Sequence, residues 1–241
     1  MPAVIRLDGV SLSFGALTVI DNLSLALEAG EALGVIGPNG AGKTTLVNLI
    51  SGDLTPSRGR ILFGERDITS LPAYARCRLG LGRTYQIPHP FGGMTVFENV
   101  LVAASFARAR PERACNALCI EILERTGLIG KANALSGRLT LLERKRLELA
   151  RALAVEPKVL LLDEIAGGLT ESECGVLVAT IKALHRDGIS ILWIEHVMHA
   201  LLAAVERLVV LDFGQLIAAG EPRAVIAERA VQEVYMGIEQ E

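Results

Sequence analysis

No stretch of this 241-residue chain stays apolar long enough to cross a bilayer; the runs at 159–162 and 208–211 have the length of strands, whereas a helical span needs about 20 residues. Contact with a membrane is therefore expected to come through a partner. No signal-peptide pattern is expected at the start, where Arg6, Asp8 and glycines interrupt any apolar run. A dominant charge sign is missing too. The 24 basic and 27 acidic residues are intermixed and give a net charge of −3, which argues against nucleic acid as a partner. The four cysteines, Cys77, Cys115, Cys119 and Cys174, form neither a C-x-x-C pair nor a disulfide framework. Cys115 and Cys119 lie one helical turn apart and read as small packing residues rather than a metal pair, which suits a reducing cytoplasm. His89, His185 and His199 have no ligand-spaced neighbours. No repeat or low-complexity linker divides the chain, so one domain over residues 1–241 is expected.

What is present is a phosphate-binding loop. Gly37-Pro38-Asn39-Gly40-Ala41-Gly42-Lys43-Thr44 matches G-x-x-x-x-G-K-[ST] without a gap. Its glycines let backbone amides close around phosphate oxygens. Lys43 brings a point charge to the outer phosphates, and the Thr44 hydroxyl, followed by Thr45, can reach magnesium. The flanks fit as well: 32–36 reads as a buried strand, 44–50 as a helix whose free amides face the anion, and Gly52 as its stop.

The remaining pattern predicts an α/β protein. Residues 5–14 and 19–27 read as strands joined near Gly15, and 60–63 as a third strand before a turn, which makes an antiparallel lobe. From Thr95 the pattern turns helical, with Thr95 and Glu98 as a capping box and a second helix from Pro111 to Gly127. Strands at 159–163, 189–195, 207–211 and 215–218 then alternate with a helix at 171–186, and two short helices follow Pro222.

Two strand ends carry further chemistry. Val159-Leu160-Leu161-Leu162-Asp163-Glu164 places a carboxylate, Asp163, where it can hold magnesium with Thr44, and a second, Glu164, where it can take a proton from an attacking water. Trp193-Ile194-Glu195-His196 puts a histidine at a neighbouring strand end, where such sheets bind ligands.

Over nearly its whole length the sequence closely resembles the ATP-binding subunits of ABC transporters, with these motifs in the family's order. The resemblance implies a P-loop NTPase core of ABC ATPase type, an antiparallel β lobe and a helical subdomain inserted at about 95–155. It implies ATP and Mg2+ as cofactors. Phe14 matches the aromatic residue that stacks on adenine, Gln86 the glutamine that touches magnesium and the attacking water, and His196 the switch histidine.

The signature motif, Leu-Ser-Gly-Gly-Gln in most of the family, needs a choice of register. Leu135-Ser136-Gly137 looks like its start, but counting back from Arg146-Leu147-Glu148-Leu149-Ala150-Arg151 places it at Leu139-Thr140-Leu141-Leu142-Glu143. There Leu142 stands where the family has a glycine, and Glu143 replaces a neutral glutamine near an expected anion. Gly167-Gly168-Leu169-Thr170 occupies the dimer-interface loop with Thr170 in place of an acid or amide, and Ile165 replaces a frequent proline. These departures leave the chain's own catalytic groups intact and weaken what it offers across a dimer.

Within the family, Gly82-Arg83-Thr84-Tyr85-Gln86, Phe91-Gly92-Gly93-Met94-Thr95, Asp212-Phe213-Gly214-Gln215 and Val234-Tyr235-Met236-Gly237 resemble an ATPase subunit of branched-chain amino acid importers. Related groups serve urea or short amide import, or lipopolysaccharide export. The implied partners are a second ABC ATPase subunit, transmembrane permease subunits and, for an importer, a periplasmic solute-binding protein acting indirectly. The implied place is the cytoplasmic face of the membrane. The rival readings are a soluble ABC-type ATPase and a regulatory module with little hydrolysis; Glu164 and His196 favour an enzyme.

Overall fold

A computed structural model describes residues 2–236; Met1 and 237–241, including the Gly237 that closes the last motif above, lie outside the described residues. The amino-terminal half contains β1 (Ala3–Phe14), β2 (Leu17–Glu28), β3 (Ala32–Ile36), α1 (Lys43–Ser51), β4 (Arg58–Phe63), β5 (Arg66–Asp67), α2 (Ala73–Arg78) and β6 (Leu81–Arg83). Then come α3 (Val96–Arg108), α4 (Glu112–Arg125), two single turns of 3-10 helix (Ile129–Lys131 and Ser136–Arg138) and α5 (Leu141–Leu153). The last part alternates β7 (Val159–Asp163), α6 (Glu171–Arg186), β8 (Ser190–Ile194), α7 (Met198–Leu202), β9 (Arg207–Asp212) and β10 (Gln215–Gly220), before α8 (Pro222–Ala227) and α9 (Arg229–Met236).

Two sheets result. One is antiparallel in the order β2-β1-β4-β5, and the other runs β10-β9-β3-β8-β7-β6. The second is parallel except for β10, which pairs antiparallel with β9 at the edge. Alternate side chains of a strand face opposite sides of a sheet, and here they feed two separate cores. Leu160, Leu162, Ile191, Trp193, Leu208 and Val210 pack with α3–α7, whereas Val159, Leu161, Leu192, Ile194, Val209 and Leu211 pack with α1 and the antiparallel sheet. The near-continuous apolar sequences of these strands follow from burial on both faces. This is the arrangement the resemblance implied, a parallel core with an antiparallel lobe and a helical insertion.

The strands and helices expected from sequence are present with ends moved by a few residues; the strand expected at 189–195 is shorter, Ser190–Ile194. Four short elements lacked a periodic signal: α2, β5, β6 and α7, of six, two, three and five residues; Arg66–Asp67 reads from sequence as part of a turn, and the longer α5 was not placed either. Tertiary contacts hold them. In α2 the buried Arg76 donates to Leu49 O (2.6 Å) and Ile50 O (2.9 Å) at the end of α1, and to Thr69 O and Leu71 O. Burial lowers its pKa to about 10. β6 exists because it pairs with β7, and Gly82 is needed there since a Cβ would come within 2.6 Å of Ala152 O.

Candidate nucleotide site

The order β3-β8-β7-β6 sets four carboxyl ends side by side. Each end carries one motif: the 37–44 loop after β3, His196 after β8, Asp163 and Glu164 at β7, and Gln86 shortly after β6. Residues more than a hundred positions apart thus meet at one edge of the sheet, the usual ligand position in open α/β folds.

Gly42 precedes α1 at φ 98°, and a Cβ there would lie 2.8 Å from Val19 O, so only glycine fits where the loop enters the helix. Lys43 is buried, and its Nζ donates to Gly37 O (2.7 Å) and Pro38 O (2.9 Å). Burial lowers its pKa, while Glu164 and Asp163 act to keep its charge. A cleft of about 200 Å³ is lined by Val19, Asn39, Gly40, Gly42, Lys43, Thr44, Thr45 and Glu164. Pro38 and Ala41 line a second depression with Asp212 and Phe213, on the other side of Asn39 and Gly40.

Glu164 is the hub of the polar groups. Its Oε1 lies 2.5 Å from His196 Nε2, and its Oε2 accepts from Gln86 Nε2. Its backbone has φ 47°, a left-handed conformation that costs a non-glycine residue about 1–3 kcal/mol and persists where the surroundings impose it. They do so here: Glu164 N donates to Ile194 O (2.9 Å), and the buried Lys145 donates to Glu164 O (3.0 Å). Two residues on, Ala166 N donates to the buried Glu195 Oε2 (2.9 Å).

Asp163 is also buried, and burial raises its pKa, with Arg83 opposing the shift. Arg83 Nη2 is 3.2 Å from Asp163 Oδ2, and Nη1 reaches Asp53 (2.6 Å) and Ser51 Oγ (2.8 Å). Asp163 Oδ1 has no hydrogen-bond partner among the described residues. A buried carboxylate oxygen left unpaired costs free energy unless something fills its coordination. An exposed threonine hydroxyl on Thr44, a carboxylate oxygen and phosphate oxygens form the hard oxygen set that magnesium prefers, so the residues present fit Mg-ATP.

Phe14 stands apart from this cluster. It is 53% exposed at the β1–β2 hairpin, on the strand pair that supplies Val19, and it does not line the cleft itself. The segment 139–143 lies elsewhere again. Thr140 caps α5: its Oγ1 accepts from Glu143 N (3.4 Å) and its N donates to Glu143 Oε2 (2.9 Å). These bonds hold the Glu143 carboxyl below the usual range, helped by Lys131 at 3.4 Å. Leu135-Ser136-Gly137 falls in the 3-10 turn, with buried Ser136 donating to Phe91 O (2.8 Å), so it begins no α-helix. Gly167, Gly168, Leu169 and Thr170 lead into α6, where Thr170 and Glu173 form another capping box. A Cβ on Gly168 would meet Leu141 at 3.2 Å, so this loop and the start of α5 are neighbours.

Arg83, Lys145 and Glu195 support the residues of this cluster from behind, and sequence reasoning missed them. For Arg83 and Lys145 the only local signal was a charge next to a motif. Glu195 adjoins His196 and could have been noticed as an acid ending an apolar strand.

Comparison with known proteins agrees with this geometry. The ABC transporter family pattern matches residues 20–167. The lipopolysaccharide export system ATP-binding protein LptB of Acidithiobacillus ferridurans is 33% identical over 244 residues, covering 98% of each chain. The high-affinity branched-chain amino acid transport ATP-binding protein LivG of Salmonella typhimurium is 35% identical over 251 residues, covering 97% of this chain and 98% of that one. Among solved structures, the ADP conformation of an ATP-binding cassette of an ABC transporter superposes with a TM-score of 0.91 at 29% identity, over 98% of this chain and 100% of that one. A nucleotide-free cassette superposes with a TM-score of 0.90 at 28% identity, over 99% and 100%. With its sheet order, its phosphate loop and its whole length accounted for in this way, the chain belongs to the ABC transporter ATP-binding subunits.

Proposed function

We propose that this chain, a single ATP-binding domain over 1–241 with its helical subdomain at about 95–155, hydrolyses Mg-ATP to drive an importer of branched-chain amino acids or a related small polar solute. The observation that carries the ATPase reading is Glu164 bonded on one side to Gln86 and on the other to His196, at the lip of the phosphate-loop cleft. The resemblance to LivG supports the solute class.

In this reading Gly37 to Thr45 hold the phosphates and Phe14 stacks on the adenine. Lys43 leaves its loop carbonyls for the outer phosphates, a short move within one loop. Thr44, Asp163 and Gln86 would hold magnesium, which would supply charge neutralisation at the phosphates. Glu164 takes the proton of the water that attacks the γ-phosphorus as the bond to ADP breaks. Gln86 and His196 fix the two carboxylate oxygens so that one can face that water.

Leu139, Thr140, Leu141, Leu142 and Glu143 would face ATP held by a second ABC ATPase subunit, with Gly167, Gly168, Leu169 and Thr170 along the shared interface. With a carboxylate at Glu143, bonded to the Thr140 amide, and Leu142 in place of a glycine, this segment would offer a partner's ATP a weakened contact, a reading that suits a heterodimer with unequal sites. The Gln86 loop would meet permease subunits, which places the chain at the inner face of the membrane; among the described residues no helix is long and apolar enough to cross one. Co-purification of the chain with permease subunits and Mg-ATP hydrolysis by that complex test the reading. A complex that hydrolyses as fast with Glu164→Gln as without it sinks the base assignment.

A further inference from the structure

Lys145 is a lysine placed where lysines are rarely found. It lies in α5, is 3% exposed, and makes no direct contact with a carboxylate in the described structure; its Nζ donates instead to Gln86 O (2.9 Å) and Glu164 O (3.0 Å). Those carbonyls belong to two different strand ends. They also belong to the two residues whose side chains bond each other across the cleft lip.

The turn after β7 is gripped from both sides by opposite charges. Lys145 holds the carbonyl of Glu164, and Glu195 holds the amide of Ala166. Between them the chain stays in the left-handed conformation of Glu164. Burial alone lowers the Lys145 pKa, and Glu195, Glu164, Asp163 and Glu148 oppose that shift. A buried amine is costly unless it is hydrogen-bonded, and both of its bonds here go to backbone carbonyls.

The helix that carries Lys145 begins at Leu141, one residue after the Thr140 cap. Lys145 therefore stands about one turn inside the end that would face a partner's nucleotide. We propose that Lys145 is a positioning residue that fastens the Gln86 loop and the Glu164 turn to the start of α5, so that nucleotide at this chain's own phosphate loop shifts the segment 139–143. Its ammonium bonds the backbone carbonyls of Gln86 and Glu164 and not the side chains proposed to act at the nucleotide. It acts through two backbone carbonyls, and the coupling is a mechanical link between the chain's own site and the one it completes.

This inference rests on the reading of Gln86 and Glu164 as nucleotide-facing groups, and one experiment separates the two. Hydrogen exchange is followed on the full chain with and without magnesium and a non-hydrolysable ATP analogue, whose affinity is measured in parallel. In the wild type the analogue slows exchange in peptides covering 84–94 and 139–146. Lys145→Met binds the analogue with unchanged affinity and keeps the response at 84–94, but the response at 139–146 falls by about tenfold. Lys145→Arg, which keeps donors and charge, restores part of it.

If Lys145→Met fails to fold, Lys145→Gln, with an amide able to reach one carbonyl, is expected to give an intermediate loss. A full response at 139–146 in Lys145→Met or Lys145→Gln overturns the proposal, as does a wild type that shows none there while binding the analogue. Failure to bind the analogue at all defeats the nucleotide reading itself and the proposal with it.

Discussion

The carboxyl edge of the parallel sheet and the start of α5 are both places where backbone and charge could meet a phosphate, yet they are finished in opposite ways. At the sheet edge the polar groups are aimed and partly unspent: Asp163 Oδ1 has no hydrogen-bond partner among the described residues, Lys43 is held only by loop carbonyls, and Glu164 is oriented by two neighbours. At the start of α5 the Glu143 carboxylate takes the Thr140 amide, the Thr140 hydroxyl takes the Glu143 amide, and Lys131 balances the carboxylate's charge. A helix start offers an anion something only while its donors and positive end are unclaimed. One region keeps polar groups open, and the other uses two of its amides in its own helix cap.

The largest expected effect tests the first half of that contrast. In a complex that hydrolyses ATP, Glu164→Gln lowers turnover at this chain's site by about 10²–10⁴-fold while nucleotide binding persists. Single-turnover hydrolysis and equilibrium binding of labelled ATP measure the two separately.

Removing the cation behind Asp163 comes next. Breaking a buried pair leaves an uncompensated charge, so Arg83→Met is expected to lower unfolding stability by about 3–5 kcal/mol. Urea denaturation of the full chain without nucleotide reads this, and a loss within experimental error would mean that Asp163 is not held in place by Arg83.

A smaller effect should appear across the dimer. Leu142→Gly combined with Glu143→Gln, in a chain silenced by Glu164→Gln so that only the partner's ATP turns over, is expected to raise turnover about fivefold, equivalent to the ~1 kcal/mol that a helix end offers an anion. An unchanged rate would erase the contrast between the two regions.

The smallest is a pH effect on α5. The Glu143 carboxyl is held below its ordinary range by Thr140, so its cap stabilises above the ordinary carboxylate pKa and is lost as pH falls through the lowered one. Thermal melts of wild type and Glu143→Gln should therefore differ at neutral pH and converge in acid.

Much of this contrast could be read along the chain. The phosphate loop, the Asp163-Glu164 strand end and the three Thr-Glu capping boxes at Thr95, Thr140 and Thr170 are local patterns, since each depends on residues within a few positions of one another. The register that rejects Leu135-Ser136-Gly137 was legible from the fixed distance to Arg146-Leu147-Glu148-Leu149-Ala150-Arg151, and the Thr140–Glu143 cap in the structure agrees with it. Arg83 and Lys145 were not legible. Nothing near either residue distinguishes a buried charge from a surface one, because the acceptors lie 30, 32 and 80 residues away for Arg83 and 19 and 59 for Lys145.

By itself the sequence determined most of the longer elements, two of the helix caps and the presence of a phosphate cradle, since these rest on backbone preferences and hydrogen bonds between near neighbours. Only the tertiary structure decided that β8 lies between β3 and β7, and so that His196, Glu164 and Gln86 share one hydrogen-bonded cluster beside that cradle. Parallel strand order is set by burying both faces of the sheet at once, which no short segment encodes.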